Sequence, residues 1–194
     1  VGKLIAAEPY KVVSSNILSD YNTSFEVVND AGNLYSWNDA SWEQTNIPRR
    51  AYGEAAKPAA DCGDYYVQAN PANIGDKAQC QIGDAGIAAL IKGGKTYEYS
   101  YYAKLAEGEP TGVVTLSVIG DWLTCAEMTP DKEVTLNEYE WQKVTGTFTL
   151  ASDASSIIVV RFEGTEGVAY CIDDLRIGNT ASLTDQSGTE LTGN

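Results

Sequence analysis

The sequence predicts an all-β protein that folds as a two-sheet antiparallel β-sandwich. Five runs in the second half of the chain are rich in β-branched and aromatic residues, and Gly, Pro, Asp or Ser bound each of them. No helical periodicity separates one run from the next, which is typical of a sandwich rather than of an α/β fold. The five predicted strands are Thr96–Leu105, Gly112–Trp122, Glu140–Leu150, Ser156–Gly164 and Ala169–Gly178.

The first half of the chain holds shorter elements. Asp64–Asn70 and Lys77–Ile82 are predicted strands, and Lys3–Val13 includes an extended stretch. Residues 29–60 follow no regular pattern and are expected to form a long irregular region, which in a compact domain is often functional. Asp84–Gly94 fits either a helix or a strand, and the overall pattern favours a strand.

Length and composition indicate one domain. The 194 residues are 43% hydrophobic, enough for a sizeable core, and no apolar run approaches the ~20 residues that span a bilayer. From Thr180 the composition turns to Ser, Thr, Gly and Asp, which predicts a linker or a frayed tail. We therefore expect the sandwich to occupy residues 1–179 and the tail to occupy residues 180–194.

Charge and residue usage exclude several classes of function. The chain carries 13 basic and 27 acidic side chains, a net charge of −14, which disfavours a nucleic-acid partner but not a neutral ligand. It has no histidine, so catalysis by Ser-His-Asp or Cys-His groups is excluded. The four cysteines, at positions 62, 80, 125 and 171, show no zinc-binding or redox spacing. Two disulfides and four free thiols both stay open, and the apolar surroundings favour free thiols.

Alternation along the strands separates a core face from an outer face. The core-facing positions in three of the runs are Tyr97, Tyr99, Tyr101, Ala103, Val114, Leu116, Val118, Ile158, Val160 and Phe162. The outward positions are Glu98, Ser100, Tyr102, Lys104, Thr115, Ser117, Ile119, Val159, Arg161 and Glu163. An outer face of this kind can hydrogen-bond a polyhydroxylated ligand, although an ordinary solvated sheet face has the same pattern.

Four segments, in order along the chain, resemble a known family. They are Asn22–Glu26 (NTSFE), Gly94–Leu105 (GKTYEYSYYAKL), Glu140–Leu150 (EWQKVTGTFTL) and Tyr170–Gly178 (YCIDDLRIG). With this order and spacing, over about residues 16–178, the chain resembles carbohydrate-binding modules of the family 4, 9 and 22 group. The resemblance implies a β-jelly roll with no catalytic activity of its own.

The resemblance also implies a ligand and a context. Such modules bind β-linked plant polysaccharide in a cleft on the concave sheet, and for this chain xylan is favoured over β-glucan. They target an attached xylanase or glucanase, so we expect a monomeric module tethered to the catalytic domain of a bacterial enzyme that is secreted or held at the cell surface. Two other functions stay open: a small glycoside hydrolase or lyase on the same sandwich, and a structural or adhesion sandwich with a protein partner.

Tryptophans at strand ends and in the irregular region are the first candidates for ligand contact. An indole ring offers a flat apolar surface to the C–H face of a sugar, and a nearby carboxylate can hold its hydroxyls. Trp122 ends a predicted strand, with Asp121 beside it. Trp37 and Trp42 lie five residues apart in the irregular region. We expect one of these two to contact the ligand, while the other can close the end of the sandwich.

Arg161 is the first polar candidate, because the resemblance places a ligand contact at this position on the outer face. Tyr102 and Glu163 are weaker companions. Considered singly, each of the three also fits an exposed, solvated side chain. Trp141 opens a strand and resembles a buried tryptophan of the family, so we expect it in the core.

A structural Ca²⁺ is implied by the same resemblance. The predicted ligands are Glu26, Asp61 and Asp173, with Asp174 as a substitute for Asp173 and with Asp64 contributing its carbonyl. Calcium requires several hard oxygen ligands, which carboxylates and carbonyls supply. The alternative is ordinary capping of turns by aspartate.

Overall fold

The computed structural model describes residues 16–179, in which ten strands form two antiparallel sheets. In chain order they are β1 (Arg49–Ala51), β2 (Tyr65–Ala69), β3 (Lys77–Asp84), β4 (Thr96–Leu105), β5 (Val114–Gly120), β6 (Thr124–Cys125), β7 (Glu127–Pro130), β8 (Gln142–Thr149), β9 (Ile158–Glu166) and β10 (Tyr170–Asn179). A short 3-10 helix at Ser19–Tyr21 and one α-helical turn, α1 (Ile87–Leu90), complete the regular structure of this part of the chain. The predicted extended stretch at 3–13 and the predicted tail at 180–194 lie outside the described residues.

The large sheet has the strand order β1-β2-β10-β4-β8-β7, and the small sheet has the order β3-β9-β5-β6. All five strands predicted in the second half are confirmed as β4, β5, β8, β9 and β10, with ends that agree within two residues. The two predicted in the first half are β2 and β3. Residues 29–60 are irregular as predicted, apart from β1. The fold is therefore the predicted antiparallel β-sandwich of jelly-roll type.

Tyrosine side chains connect the two sheets across the core. Tyr101 of β4 packs edge to face against Phe162 of β9, with ring centroids 5.0 Å apart. Its hydroxyl donates to the Val114 carbonyl at 2.9 Å, and the Tyr170 hydroxyl donates to the Ala78 carbonyl at 3.0 Å. Each buried phenol thus finds an acceptor on the opposite sheet while its ring fills the core. All the core-facing positions assigned by alternation are buried.

The irregular segment before β1 adds a second group of core residues. Its most buried side chains are Leu18, Phe25, Leu34, Trp37 and Ile47. The Trp37 ring packs edge to face on Phe25 with centroids 5.3 Å apart, and it also contacts Phe162 at 6.0 Å. Its Nε1–H donates to the Tyr21 carbonyl at 2.9 Å, so its only polar atom is satisfied inside the protein.

The prediction of a strand over Asp84–Gly94 is wrong. β3 ends at Asp84, whose Oδ1 accepts the Gly86 amide at 2.6 Å and turns the chain. The alanine-rich run that follows forms the turn α1, in which the Ile91 amide donates to the Ile87 carbonyl at 3.0 Å. Ile87 and Ile91 are completely buried, so this segment contributes to the core as a helical turn instead of as the predicted strand.

Trp141 lies outside the main core, which corrects the expectation that it would be buried there. It is half-buried in a separate small cluster, where its ring contacts Tyr66 at 5.3 Å and Tyr52 at 5.9 Å. Lys104 Nζ lies 5.4 Å from the ring centre. Trp141 precedes β8 and shares the side of the large sheet to which Lys104 points, which is the outer side.

The four cysteines are free thiols, as the sequence favours. Cys62, Cys80 and Cys171 are buried, whereas Cys125 is exposed. Burial raises the pKa of Cys62 and of Cys171 to about 11. Thiols with such pKa values remain protonated at neutral pH, so these two act as small apolar side chains.

Phe162→Ala tests the contact between the sheets. Removing this fully buried ring leaves a cavity beside Trp37 and Tyr101, and we expect the free energy of unfolding to fall by about 3–5 kcal/mol. Phe162→Leu, which keeps most of the volume, should lose less. Urea denaturation measures both, and equal losses for the two variants would contradict the packing described here.

Candidate functional site

The outer face of the small sheet presents three cross-strand rows of side chains from β3, β9 and β5. Residues that pair across neighbouring strands point to the same side of a sheet. In order along β9, the rows are Gly83–Val159–Ile119, Gln81–Arg161–Ser117 and Gln79–Glu163–Thr115. We call them the apolar row, the middle row and the end row. One apolar strip therefore runs beside two polar strips.

Trp42 lies against the apolar row, and Trp122 packs on Trp42. A Cβ atom at Gly83 would lie 3.5 Å from Trp42 Cη2, so the indole reaches the sheet where no side chain intervenes. The two rings pack edge to face, with centroids 5.4 Å apart and planes at 79°. Val159 and Ile119 point outward as predicted, yet both are buried. Each tryptophan remains 47% exposed, which leaves indole surface for a ligand.

Asp39 holds the loop that carries Trp42. The Asp39 carboxylate is buried and accepts the amides of Ser41 at 2.8 Å and Glu43 at 3.0 Å through Oδ1. Its Oδ2 accepts the Asn46 side-chain amide at 2.9 Å, and its carbonyl accepts the Trp42 amide at 3.1 Å. Trp42 has φ = 61°, a left-handed conformation that a bulky residue keeps only where its surroundings hold it.

Gln81 connects this loop to Arg161. Its backbone exchanges two hydrogen bonds of 2.8 Å with Asn38. Its side-chain Nε2 donates to the Asp39 carbonyl at 3.2 Å, and its Oε1 accepts from Arg161 Nε at 2.8 Å. Gln81 is only 2% exposed, so these bonds lie beneath the surface and fix the direction of the guanidinium group.

Asp121 anchors the turn that carries Trp122. Its carboxylate accepts the amides of Ser155 and Ser156, both at 2.7 Å, and of Ile157 at 3.2 Å. These bonds, led by the one from Ser155, lower the pKa of Asp121 to about 2. Asp121 and Trp122 both have left-handed φ values, of 51° and 63°. The carboxylate thus ties the turn after β5 to the segment before β9.

The end row opens into a polar cleft of about 450 Å³. Gln79 Nε2 donates to the Glu163 carboxylate at 2.6 Å, and Lys77 Nζ lies 3.6 Å from the same carboxylate. The other polar residues lining the cleft are Asp39, Asn46, Asn70, Asp76 and Glu166. The cleft therefore extends the polar surface away from the two tryptophans.

Four of the predicted ligand contacts meet on this face: Trp42, Trp122, Arg161 and Glu163. Trp37 does not join them, because its ring is wholly buried and has no face for a ligand. It closes the core instead, which is the alternative considered for one of the two loop tryptophans. Asp121 lies beside Trp122 as predicted, but its oxygens are occupied by the protein, so its role is to position the turn.

Tyr102 lies on the outer face of the large sheet, on the other side of the sandwich. It pairs with Asp173 of β10 and with Lys143 of β8, and Lys143 Nζ lies 5.8 Å from its ring centre. Around it, a depression of about 110 Å³ is lined by Asp61, Ser100, Lys143, Asp174 and Arg176. Alternation identifies outward residues but not the sheet to which they belong, so the grouping of Tyr102 with Arg161 is wrong.

Two of the predicted calcium ligands have cationic partners in the protein. Asp61 pairs with Arg176 at 3.0 Å, and the side chain of Asp64 pairs with Lys57 at 3.0 Å. The Asp64 carbonyl, the predicted ligand, accepts the Tyr52 amide at 2.9 Å. Within residues 16–179, no group of three or more His, Cys, Asp or Glu side chains is close enough together to hold a metal ion.

Glu26 and Asp173, unlike Asp61 and Asp64, have no cationic side chain within 4.0 Å among residues 16–179. The Glu26 carboxylate accepts two backbone amides from Asp64–Tyr65, at 3.1 and 3.0 Å. Asp173 is 1% exposed and accepts the Tyr52 hydroxyl at 2.6 Å. Burial raises the pKa of Asp173 to about 7, and the negative charges of Asp174 and Glu26 add to the rise. A buried carboxylate that feels two other carboxylates is a suitable place for a positive ion.

Asp39, Gln79 and Gln81 help to build the candidate site, and the sequence did not identify them. Alternation in Lys77–Ile82 contained the signal for the two glutamines, since they flank the buried Cys80. Asp39 had no local signal. Its role depends on the loop lying against β3, and only the tertiary structure places it there.

This face combines two exposed indole rings with guanidinium, amide, hydroxyl and carboxylate groups. Indole surfaces can pack on the C–H face of a sugar, and the polar rows can bond its hydroxyls. The chemistry of this face suits a carbohydrate ligand. Residues 16–167 also match the family model CBM_4_9, described as a carbohydrate binding domain. Because the match covers most of the chain, the protein belongs to this family, and the predicted resemblance is confirmed.

Solved structures that contain CBM22 modules share the fold. The CBM22-1 xylan-binding domain of Paenibacillus barcinonensis Xyn10C matches with a TM-score of 0.52 and 14% identity, over 92% of this chain and 99% of that one. The CBM22-1–CBM22-2 tandem of the same protein matches with a TM-score of 0.57 and 15% identity, over 96% of this chain and 49% of that one. The CBM22-1–GH10 modules of Clostridium thermocellum Xyn10B, complexed with xylohexaose, match with a TM-score of 0.54 and 18% identity. The match covers 89% of this chain and 29% of that one.

No curated protein sequence matches this chain significantly. In the described part of the chain, no helix has the length and apolar character needed to cross a membrane.

Asp121→Asn tests whether the carboxylate holds the Trp122 turn. The pKa of Asp121 lies below its usual value of 3.8, so the carboxylate stabilises the folded state above about pH 4, and this stabilisation is lost as the pH falls through about 2. We expect the variant to have a lower Tm than the native protein at pH 6, with the difference shrinking towards pH 2. Thermal unfolding followed by circular dichroism measures this.

The matched control is Asp30→Asn, an exposed carboxylate in the turn between Asn29 and Asn33. Its Tm difference from the native protein should be small at both pH values. A difference for Asp121→Asn that stays constant from pH 6 to pH 2 would show that the charge does not hold the turn.

Proposed function

We propose that the protein binds β-linked plant polysaccharide on the outer face of the small sheet, with xylan preferred over β-glucan, and does not hydrolyse it. The observation that carries the proposal is the exposed Trp42–Trp122 pair beside two polar rows. The rings stand at 79°, so they offer apolar surfaces in two orientations. Such a pair of rings suits a twisted polysaccharide, in which successive sugars are rotated relative to each other, better than it suits a flat, ribbon-like one.

The preference for xylan draws its support from the structural relatives. One of them is a xylan-binding domain by name, and another is a structure of CBM22-1 and GH10 modules complexed with xylohexaose. The identities are 14% and 18%, so the relatives support a similar fold rather than the same contacts. The site residues of this chain carry the rest of the proposal.

The expected affinity is modest. Covering one indole face gains ~1–2 kcal/mol by area, and hydroxyl contacts in an open, hydrated site add little beyond what they lose in water. A dissociation constant of about 10–1,000 μM follows. Such an affinity suits a module that holds a partner enzyme near an insoluble substrate and still releases it.

We also infer a modular context outside the cell. The similar Clostridium thermocellum structure joins a CBM22 module to a GH10 module, and this chain covers 29% of it. The proposed role is that of a monomeric module attached to a secreted or cell-surface glycoside hydrolase.

Affinity electrophoresis in gels containing xylan, mixed-linkage β-glucan or starch tests the ligand class. Xylan should retard the protein most, β-glucan less, and starch not at all. If none of the three polysaccharides retards the protein, the proposal is contradicted. Release of reducing sugar from xylan by the purified chain would instead favour a glycoside hydrolase.

Trp42→Ala and Trp122→Ala should each weaken binding to xylohexaose about 5- to 30-fold, which corresponds to the loss of ~1–2 kcal/mol of apolar contact. Isothermal titration calorimetry measures the change. Tyr139→Ala removes an aromatic ring that is 83% exposed but lies outside the three rows, so it should leave the affinity unchanged. Native-like binding by both tryptophan variants would exclude this face as the site.

A structural Ca²⁺ is a separate proposal. Glu26 and Asp173, together with backbone carbonyls, would hold it, and its charge would offset the burial of Asp173. The side chains of Asp61 and Asp64 are left out of this set because each already has a cationic partner. Such an ion would cross-link the segment before β1 to β10.

Thermal unfolding in calcium and in EDTA tests the metal. Calcium at 100 times its dissociation constant should stabilise the native protein by about 2.7 kcal/mol. Glu26→Gln and Asp173→Asn, each made singly, should abolish the difference in Tm between calcium and EDTA. Asp64→Asn should retain that difference. Equal Tm values for the native protein in calcium and in EDTA would remove the ion from the proposal.

A further inference from the structure

We propose that the middle row is a subsite for the carboxylate of an acidic sugar, so that the protein prefers xylan carrying uronic acid substituents. This inference rests on the proposed binding of glycan to the same face, and it concerns the class of substrate that the face selects. Arg161 is the residue that would determine the preference.

Arg161 lies at the centre of the three rows. It pairs with Gln81 of β3 on one side and with Ser117 of β5 on the other. Along β9 it is flanked on the same face by Val159 and Glu163. A glycan resting on the tryptophans and reaching the end row would therefore pass over this side chain.

The guanidinium group of Arg161 is oriented before any ligand binds. Its Nε donates to Gln81 Oε1 at 2.8 Å, and Gln81 in turn donates to the Asp39 carbonyl at 3.2 Å. Gln81 is 2% exposed, so this support is buried. Because Nε is committed to Gln81, the two terminal nitrogens form the free end of the planar fork, and such a fork matches a carboxylate with two parallel hydrogen bonds.

No carboxylate of the described residues lies within 4.0 Å of the Arg161 guanidinium. The acidic neighbour on the same face, Glu163, is engaged by Gln79 and Lys77 instead. Acidic side chains outnumber basic ones by 27 to 13 in this chain, so an arginine without an acidic partner is unexpected on composition alone. Its charge is available to an anion from outside the protein.

The net charge of −14 limits which anion this can be. A polymer with a charge on every unit would be repelled by the protein as a whole. A mostly neutral chain with sparse carboxylates avoids most of that repulsion, since charges beyond a Debye length of about 8 Å are screened at physiological salt. A neutral xylan backbone with occasional uronic acid branches has this chemistry, and its hydroxyls can bond Ser117 beside the arginine.

The test compares two ligands by isothermal titration calorimetry: neutral xylohexaose, and a xylo-oligosaccharide of equal backbone length that carries one uronic acid. The native protein should bind the acidic ligand about fivefold more tightly. In Arg161→Gln, the ratio of the affinity for the acidic ligand to the affinity for the neutral ligand should fall to one or below. Arg161→Lys, which keeps the charge but loses the fork, should retain part of the preference. Tyr139→Ala should leave the ratio unchanged.

Glu163→Gln provides a second measurement, independent of the folding of the arginine variants. Removing this negative charge beside the subsite should raise the ratio in favour of the acidic ligand. If the native protein binds the neutral ligand as tightly as the acidic one, or more tightly, the inference is overturned while the proposed glycan binding stands. If the native protein binds neither ligand, the proposed function itself fails.

Discussion

The register of β9 is the constraint on which the rest of the structure depends. This strand lies between β3 and β5 in the small sheet and pairs with both. Its inward residues are Ile158, Val160 and Phe162, and its outward residues are Val159, Arg161 and Glu163. Because side chains alternate along a strand, a slip of one residue would exchange the two sets and expose the core while burying an arginine. Core and site are therefore determined together.

Buried or anchored aspartates give the site its shape before a ligand arrives. Asp39 and Asp121 each accept several hydrogen bonds from a short loop, and the tryptophan that follows each of them adopts a left-handed backbone conformation. The strain of that conformation is offset by the bonds to the carboxylate. A rigid pair of rings loses little conformational entropy on binding, so a shallow site can retain more of its contact energy as affinity.

The two outer faces of the sandwich use their charges differently. On the large sheet, Arg176 is paired with Asp61 and Asp174, so its charge is neutralised within the protein. On the small sheet, Arg161 donates through Nε to the neutral side chain of Gln81, and no carboxylate of residues 16–179 lies within 4.0 Å of its guanidinium group. The difference follows from which acidic residues the fold brings near each arginine.

The sequence by itself determined seven of the ten strands, the core-facing positions and the family, because alternation and turn residues are local properties of the chain. It also identified Trp42, Trp122, Arg161 and Glu163 as candidates. Only the tertiary structure decided that Trp37 belongs to the core, that Tyr102 lies on the opposite sheet, and that Gln81 and Asp39 support Arg161. Alternation states that a side chain points outward. It does not state which sheet carries the strand, nor which loop covers it, because both depend on pairing between segments far apart in the chain.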